Sequence, residues 1–536
     1  MITISRILLP SALALCLTGN LVAETGHPES TPTQPVILTP PAPETPRVNG
    51  PAIFGVRPGS PFLYTIPATG RRPMKFEADG LPSELRLDPA TGLITGTLQQ
   101  PGERVVTVRA VNALGSSERK LRIVAGDQIA LTPPMGWNSW NCLGARVSQE
   151  KILAAAHTMA ERGLRDHGWS YVNIDDTWQG TRGGTFNAIQ PNAKFPDMKL
   201  LGAQIHALGL KFGIYSTAWR GSYEGHIGST GDNQDGTYDW IKSGDHTDVF
   251  RIGREEKGRD GKVHANWKPG RFSFVEKDAA QWAEWGVDYL KYDWFPNDTP
   301  HVEAMSRALR GTQRDVVYSL SNTAIYDSAP DLARLANAWR TTGDIRDTWQ
   351  SVSHIGFSQD RWASYAGPGH WNDSDMLVVG RVGGWGPSPH PTKLTPDEQY
   401  THISLWCLLS APLLIGCDLE HLDDFTLGLL TNDEVLAIDQ DALGKQATQI
   451  SRDGDKVVYV KTLEDGSVAV GLFNLGPAET TVGISWGPWG SLPAEEADKR
   501  LARDLWRQTD LGVYKGKFET KVPSHGVVLV RMSAAK

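Results

Sequence analysis

Cysteine is scarce in this chain, with four in 536 residues, and one of them, Cys16, lies inside an apolar leader. The other three, Cys142, Cys407 and Cys417, are an odd number, so a disulfide framework is excluded and only a Cys407–Cys417 pair comes into consideration. Runs of one charge are missing as well. The 53 basic and 61 acidic residues give a formal net charge of −8, with no Lys/Arg-rich run. Nucleic acid and anionic membrane are therefore not expected partners. Beyond the leader no apolar stretch is long enough to span a bilayer. No HExxH, paired-Cys or EF-hand spacing occurs, and "GDNQDGTYD" puts Gly231 where a first calcium ligand would stand. No metal and no cofactor is expected.

What is present divides into segments, as a chain too long for one core requires. Residues 1–23 have the form of an export signal: Arg6, the apolar "ILLPSALALCLTG", then the small-residue end "LVA". The expectation is an exported protein, periplasmic or secreted. Residues 24–47 are rich in Pro and Thr and read as an extended linker without a core of its own. Residues 48–126 alternate short apolar strands with Gly-bearing turns, the pattern of a small Ig-like β-sandwich. From 127 to 438 the rhythm becomes strand–helix. Ser148 caps "SQEKILAAAHTMAERGL", which carries Ile152, Leu153, Ala156, Met159 and Ala160 on one face and stops at Gly163. Eight candidate strands follow this alternation, which predicts a (β/α)8 TIM barrel. Residues 439–536 return to hairpins and predict a C-terminal antiparallel β-sandwich. Nineteen tryptophans supply flat surface for cores or for sugar stacking.

In such a barrel the chemistry gathers at the C-terminal ends of the strands. Here those ends carry Asp175 and Asp176 in "NIDDTW", Tyr215, Lys291 and Asp293 in "KYDWF", Ser321 and Asn322 in "SLSNTA", Arg340 and Asp344 in "WRTTGD", and Asp373 and Asp375 in "WNDSDM". Several strands deliver carboxylates to one rim, with Lys291 and Arg340 as the positive company. That sign pattern suits a metal or a neutral polyhydroxyl substrate worked on by a carboxylate pair. Without metal-ligand spacing, the second is favoured.

The segments "LTPPMGWNSWN", "NIDDTW", "KFGIYS", "YLKYDW", "AWRTTGDI" and "GPGHWNDSDMLVVG" follow one another in one order. In that order and spacing the chain resembles glycoside hydrolase family 27, the α-galactosidase and α-N-acetylgalactosaminidase family. The likeness covers the barrel and the C-terminal sandwich. It implies retaining hydrolysis without a cofactor, on an α-galactoside-containing oligo- or polysaccharide, with Asp293 as nucleophile and Asp344 as acid/base. Two carboxyls about 5–5.5 Å apart and differently tuned are what that chemistry needs. Lys291, two residues from Asp293 on one strand face, is expected to keep it ionised.

By the same resemblance Arg340 lines the sugar site and holds Asp293, Asp175 and Asp176 accept from the sugar 4- and 6-hydroxyls, and Trp137 forms a pocket wall; for Trp140 a core role stands beside a pocket one. Tyr215 and Asp375 line the pocket, and Asp373 is a structural acceptor. Aligned without gaps, Ser321 and Ala324 fall at the sugar 2-position, small enough for an acetamido group, while Asn322 and Thr323 replace a Trp-Pro pair. Galactose and N-acetylgalactosamine therefore both stand as substrates, and a non-catalytic carbohydrate-binding barrel is the alternative of another class. A long insertion, residues 218–274, follows the third strand and offers Trp219, Tyr238 and Trp240 for leaving-group subsites. Trp294 and Phe295 stand where the family commonly has Gly-Cys, so the family disulfide is absent.

Overall fold

The computed structural model describes residues 35–236, 267–384, 386, 388–486 and 499–535, with the backbone alone of 256–257 and 263–264. The expected export signal, and Tyr238 and Trp240 of the insertion, lie outside the described residues. Residues Ile37–Lys536 form one compact unit. No helix among the described residues is long and apolar enough to cross a membrane.

The N-terminal module is a sandwich of two sheets. Ile53–Val56, Gly115–Ala125, Gly102–Asn112 and Lys75–Asp79 make the larger sheet, and Phe62–Thr65, Leu93–Gly96 and Leu85–Leu87 the smaller. Strand alternation builds its core: Val106, Val108 and Ala110 face inward against Phe62, Phe76 and Ile94.

The central domain has eight parallel strands, β1 (Met135–Asn138), β2 (Tyr171–Asn173), β3 (Lys211–Ser216), β4 (Tyr289–Asp293), β5 (Val317–Ser321), β6 (Ala338–Arg340), β7 (Trp371–Asp373) and β8 (Leu413–Ile415). Each pairs with the next through β7, and β8 pairs with β1. Past β7, Leu377 bridges to Ile415 and closes the ring. These are the eight strands expected from the alternation, so the TIM-barrel prediction holds.

Helices lie between the strands. On Gln149–Glu161 the Ser148 side chain accepts from Lys151 N, Ile152, Ala155, Ala156 and Met159 are buried, and Gly163 takes the left-handed φ of 80° that ends it. Close strand contact explains Gly213 in "KFGIYS": a Cβ there would come within 1.9 Å of Asn173 Oδ1.

The C-terminal module has a six-stranded sheet (Thr448–Asp453, Lys456–Thr462, Val468–Asn474, Val527–Ala534, Lys499–Asp504, Thr509–Lys515) and a facing pair, Thr480–Ser485 with Lys517–Val522. Val457, Tyr459 and Phe473 share one apolar cluster with barrel residues such as Leu408, so this sandwich is fused to the barrel.

The Ig-like module docks against the N-terminal end of the barrel, away from the strand ends that carry the carboxylates. Asp315, just before β5, accepts from Arg57 N (2.9 Å) and Ser60 Oγ (3.1 Å). Gly209 O, just before β3, accepts from Thr65 Oγ1 at 2.8 Å. The Pro/Thr-rich segment precedes this module and is not a free tether where it is described. Leu38 N donates to Tyr400 Oη (2.8 Å) and Thr39 Oγ1 to Gly428 O (2.7 Å), which lay it along barrel helices.

Cys142, Cys407 and Cys417 are all buried free thiols, so the Cys407–Cys417 pair is not formed. Cys407 belongs to helix Pro396–Leu409 whereas Cys417 follows β8, and each is packed into the apolar cluster as a small hydrophobe.

Candidate active site

A pocket of about 340 Å³ opens at the C-terminal end of the barrel. Its lining includes Asp175 and Asp176 past β2, Tyr215 on β3, Lys291 and Asp293 on β4, Arg340 and Asp344 on and after β6, and Asp375 past β7. Residues separated by up to 200 positions, Asp175 to Asp375, converge because every parallel strand ends on the same rim.

Asp293 is 8% exposed. Burial pushes its carboxyl up to about 7, helped by Asp344 and Asp175 and opposed by Lys291 and Arg340. Asp344 stands in the mouth, with its side chain 81% exposed and Oδ1 accepting from Arg340 Nη2 at 3.2 Å. The concave mouth works against its ionisation, but the charges of Arg340 and Lys291 outweigh this and hold it below the usual carboxylate value. One carboxyl is thus deep and reluctant to ionise, the other shallow and readily ionised.

The remaining carboxylates are firmly held. Asp175 Oδ2 accepts from Lys291 Nζ (2.8 Å) and Asn138 Nδ2 (2.9 Å). Asp176 accepts from Thr177 N (2.7 Å) and Glu224 N (3.1 Å), and burial raises it to about 6. Asp375 Oδ2 pairs with Arg340 Nη2 (3.0 Å) and accepts from Ile345 N (2.8 Å). Asp373 accepts from Asp375 N at 2.7 Å and does not border the pocket, consistent with a structural acceptor. Tyr215 Oη has no hydrogen-bond partner among the described residues.

Lys291 favours ionised Asp293 through space, as expected, while its hydrogen bond goes to Asp175. Several other expectations are corrected. Arg340 holds Asp344 and Asp375 instead of Asp293. Trp137 is not a pocket wall: it is 1% exposed, lies among the apolar residues packed outside the sheet, and donates from Nε1 to Cys417 O at 2.8 Å. Side chains alternate along β1, so position 137 faces the helices, while Trp140, which opens the short helix Trp140–Leu143 beyond the strand, borders the pocket. Ser321 and Ala324, 3% and 4% exposed, do not border it either. Asn322 does. Its φ of 72° turns the chain at the end of β5, so a gapless alignment carries the wrong residues to the sugar side.

The insertion also reaches the pocket, through Tyr223, Glu224 and Trp267. Trp219 lies behind them, its ring stacked on Trp267 with centroids 5.8 Å apart. No periodicity in so long a loop singles out which of its side chains fold back. Aromatic content was the only available sign, and it pointed to Trp219, which proves to be a backing residue.

A pocket at a barrel mouth, bordered by carboxylates on or just after β2, β4, β6 and β7 and by the indoles of Trp140 and Trp267, is built for a neutral hydroxyl-rich ring, and defines a sugar-processing barrel. Comparison with known proteins carries this further. The family profile "Alpha galactosidase A" matches residues 132–242 and 258–441. The "Alpha galactosidase C-terminal beta sandwich domain" matches 453–532, and an Ig-domain profile matches 45–125. "Alpha-galactosidase 2" of Arabidopsis thaliana is 34% identical over 421 residues, 77% of this chain and 93% of that protein. A Bacteroides fragilis protein of known structure superposes with a TM-score of 0.78 at 32% identity, covering 94% of this chain and 99% of that one. A β-L-arabinopyranosidase of family 27 from Geobacillus stearothermophilus gives a TM-score of 0.61 at 29% identity over 76% of this chain and 97% of that one. The chain belongs to glycoside hydrolase family 27, the α-galactosidase family.

Proposed function

We propose that this chain is an exported exo-glycosidase that removes terminal α-D-galactosyl residues from oligo- or polysaccharides with retention of configuration. The observation that carries the reading is the disposition of two carboxyls in one pocket, Asp293 deep and Asp344 at the mouth. The bound galactose fills the inner pocket beside Asp175 and Asp176, with its leaving group pointing out past Asp344. Asp293 attacks the anomeric carbon and the glycosidic bond breaks. The departing oxygen takes the bond's electron pair and the proton of Asp344. Water, deprotonated by Asp344, then cleaves the glycosyl ester and restores both groups.

The surrounding protein groups alone tune the two carboxyls in the reverse order to these roles. Substrate supplies the change. A leaving group in the mouth strips water from Asp344 and favours its protonated form, while positive charge developing at the anomeric carbon favours ionised Asp293.

With Ser321 and Ala324 off the pocket, the argument for a roomy 2-position disappears, which favours galactose over N-acetylgalactosamine. The relation to an arabinopyranosidase adds β-L-arabinopyranosides to the substrates worth comparing. Export rests on the leader read from the sequence. A panel of aryl α-galactosides, α-N-acetylgalactosaminides and β-L-arabinopyranosides tests the substrate, and an activated fluoro-galactoside followed by peptide mass spectrometry tests the mechanism. Turnover of the α-galactoside and a label on Asp293 are expected. A label elsewhere refutes the assignment, and no hydrolysis of any glycoside favours the non-catalytic binding protein.

A further inference from the structure

Asn322 is one of the polar residues at the strand ends and carries no charge to mark it, yet it makes the hydrogen bond to Asp293. Its Nδ2 donates one hydrogen to Asp293 Oδ1 and the other to Tyr223 Oη at 2.9 Å. An amide nitrogen has two hydrogens to give, and both are used. Turning the amide over would set its carbonyl oxygen against the carboxylate, so the contact with Asp293 selects the orientation, while Tyr223 Oη holds the amide in place from the other side.

Each part of this chain of contacts is itself held. Ser321, the last residue of β5, is in register with Asp293 of β4. Asn322 follows at φ 72°, a left-handed conformation that Asn tolerates better than most residues, and two residues on Ala324 N donates to Arg340 O at 2.8 Å. The backbone turn therefore aims the amide across the pocket. Tyr223 comes from the insertion, where its ring lies 5.2 Å from that of Trp219 and 4.9 Å from that of Trp267. Lys291 on the same strand, Asp175, Tyr215, Arg340 and Asp344 also face Asp293, but they act through space. Among the described residues Asn322 is the one hydrogen-bond donor to Asp293, and Oδ2 accepts from none of them.

Resting on the reading of Asp293 as nucleophile, we propose that Asn322, oriented by Tyr223, is a positioning residue that anchors Asp293 Oδ1 and leaves Oδ2 to attack the anomeric carbon. The new bond forms from Oδ2 as the glycosidic carbon–oxygen bond breaks, with the Asp344 proton going to the leaving oxygen. Oδ1 becomes the carbonyl oxygen of the ester and keeps its hydrogen bond. Hydrolysis by water returns it to a carboxylate oxygen without the carboxyl having to rotate. The insertion is then a working part of the site, because its tyrosine fixes the amide that fixes the nucleophile.

The test compares the parent with Asn322→Gly, Tyr223→Phe and the double variant on an aryl α-galactoside across pH. Glycine keeps the left-handed turn and removes only the amide. A lost hydrogen bond to a charged group predicts a fall in kcat of about 10- to 100-fold for Asn322→Gly, with KM changed less than about threefold. The acid limb of the kcat/KM profile should move to higher pH, since the bond favours the ionised carboxyl. Tyr223→Phe should fall less, and the double variant should be no worse than Asn322→Gly. An unchanged kcat, an unmoved acid limb, or losses that multiply in the double variant would overturn the proposal. A parent that hydrolyses no α-galactoside refutes the functional reading instead. In that event the pH dependence of Tm, which needs no substrate, still decides: Asn322→Gly should lose more stability than the parent between about pH 6 and 8, and equal losses count against the anchor.

Discussion

Replacing Asp293 by Asn should disable the enzyme and, above neutral pH, stabilise it. Asp293 is almost fully buried, and its carboxyl is raised from 3.8 to about 7, chiefly by burial. In the unfolded chain the proton leaves near 3.8, so between there and about 7 the folded state binds more protons than the unfolded one. Stability is therefore highest below the unfolded value, falls as pH rises, and reaches its full loss above about 7. Raising a carboxyl this far corresponds to a cost of about 4 kcal/mol at 1.36 kcal/mol per tenfold change in ionisation. Asparagine has nearly the same shape, never ionises, and still offers an oxygen to Asn322.

Asp293→Asn should therefore match the parent within about 1 °C in Tm near pH 4. By pH 8 it should exceed the parent by about 5 °C, given the modest Tm change per kcal/mol expected for a domain of this size. Asp176 and Asp373, raised to about 6, impose the same trend on both proteins and cancel in the difference. Thermal unfolding by differential scanning calorimetry at pH 4, 6 and 8, with hydrolysis assayed alongside, reads both effects. A Tm difference that does not grow with pH refutes the buried-carboxyl argument, and residual hydrolysis near the parent rate refutes the nucleophile.

Other changes have defined outcomes. Asp344→Ala, at an exposed position, should keep the parent Tm and lose about 10²–10⁴-fold on substrates with poor leaving groups, with much less loss on dinitrophenyl galactosides and partial rescue by azide; equal losses across leaving groups would remove Asp344 as acid/base. Lys291→Met should leave the buried Asp175 carboxylate with only the neutral donors Asn138 Nδ2 and Asp176 N, at a cost of about 3–5 kcal/mol in denaturant unfolding. Arg57→Ala and Asp315→Ala should each lower Tm but couple by about 1 kcal/mol in a double-mutant cycle, without changing kcat/KM, because this contact lies at the opposite end of the barrel. Cys142, Cys407 and Cys417 should react with a thiol reagent only after unfolding, and reductant should leave Tm unchanged.

The order of elements was legible in the sequence because local physics writes it there. Alternation of period two marked the sandwich strands, apolar spacing of about 3.6 marked the barrel helices, and eight apolar runs ending in polar residues marked the barrel strands. Since all parallel strands of a barrel end on one rim, Asp175, Asp176, Lys291, Asp293, Arg340, Asp344 and Asp375 could be gathered into one site from position alone, and all of them border the pocket.

Which of these groups touch one another was not legible. Lys291 goes to Asp175, and Arg340 to Asp344 and Asp375, because a rim residue's partner depends on strand stagger and loop path, not on sequence distance. Trp137 faces away from the pocket because a strand's two faces are separated by one residue, while Trp140 reaches the pocket from the short helix after β1. Asn322 displaced Ser321 and Ala324 because one left-handed residue re-aims everything after it.

By itself, then, the sequence determined the three modules, the barrel and the acidic rim, all consequences of spacing along the chain. Only the tertiary structure decided the hydrogen-bond partners of the carboxyls, the tie from the insertion to Asp293 through Tyr223 and Asn322, and the docking of the Ig-like module beneath the barrel. Those depend on where distant loops meet in space, which local sequence spacing does not encode.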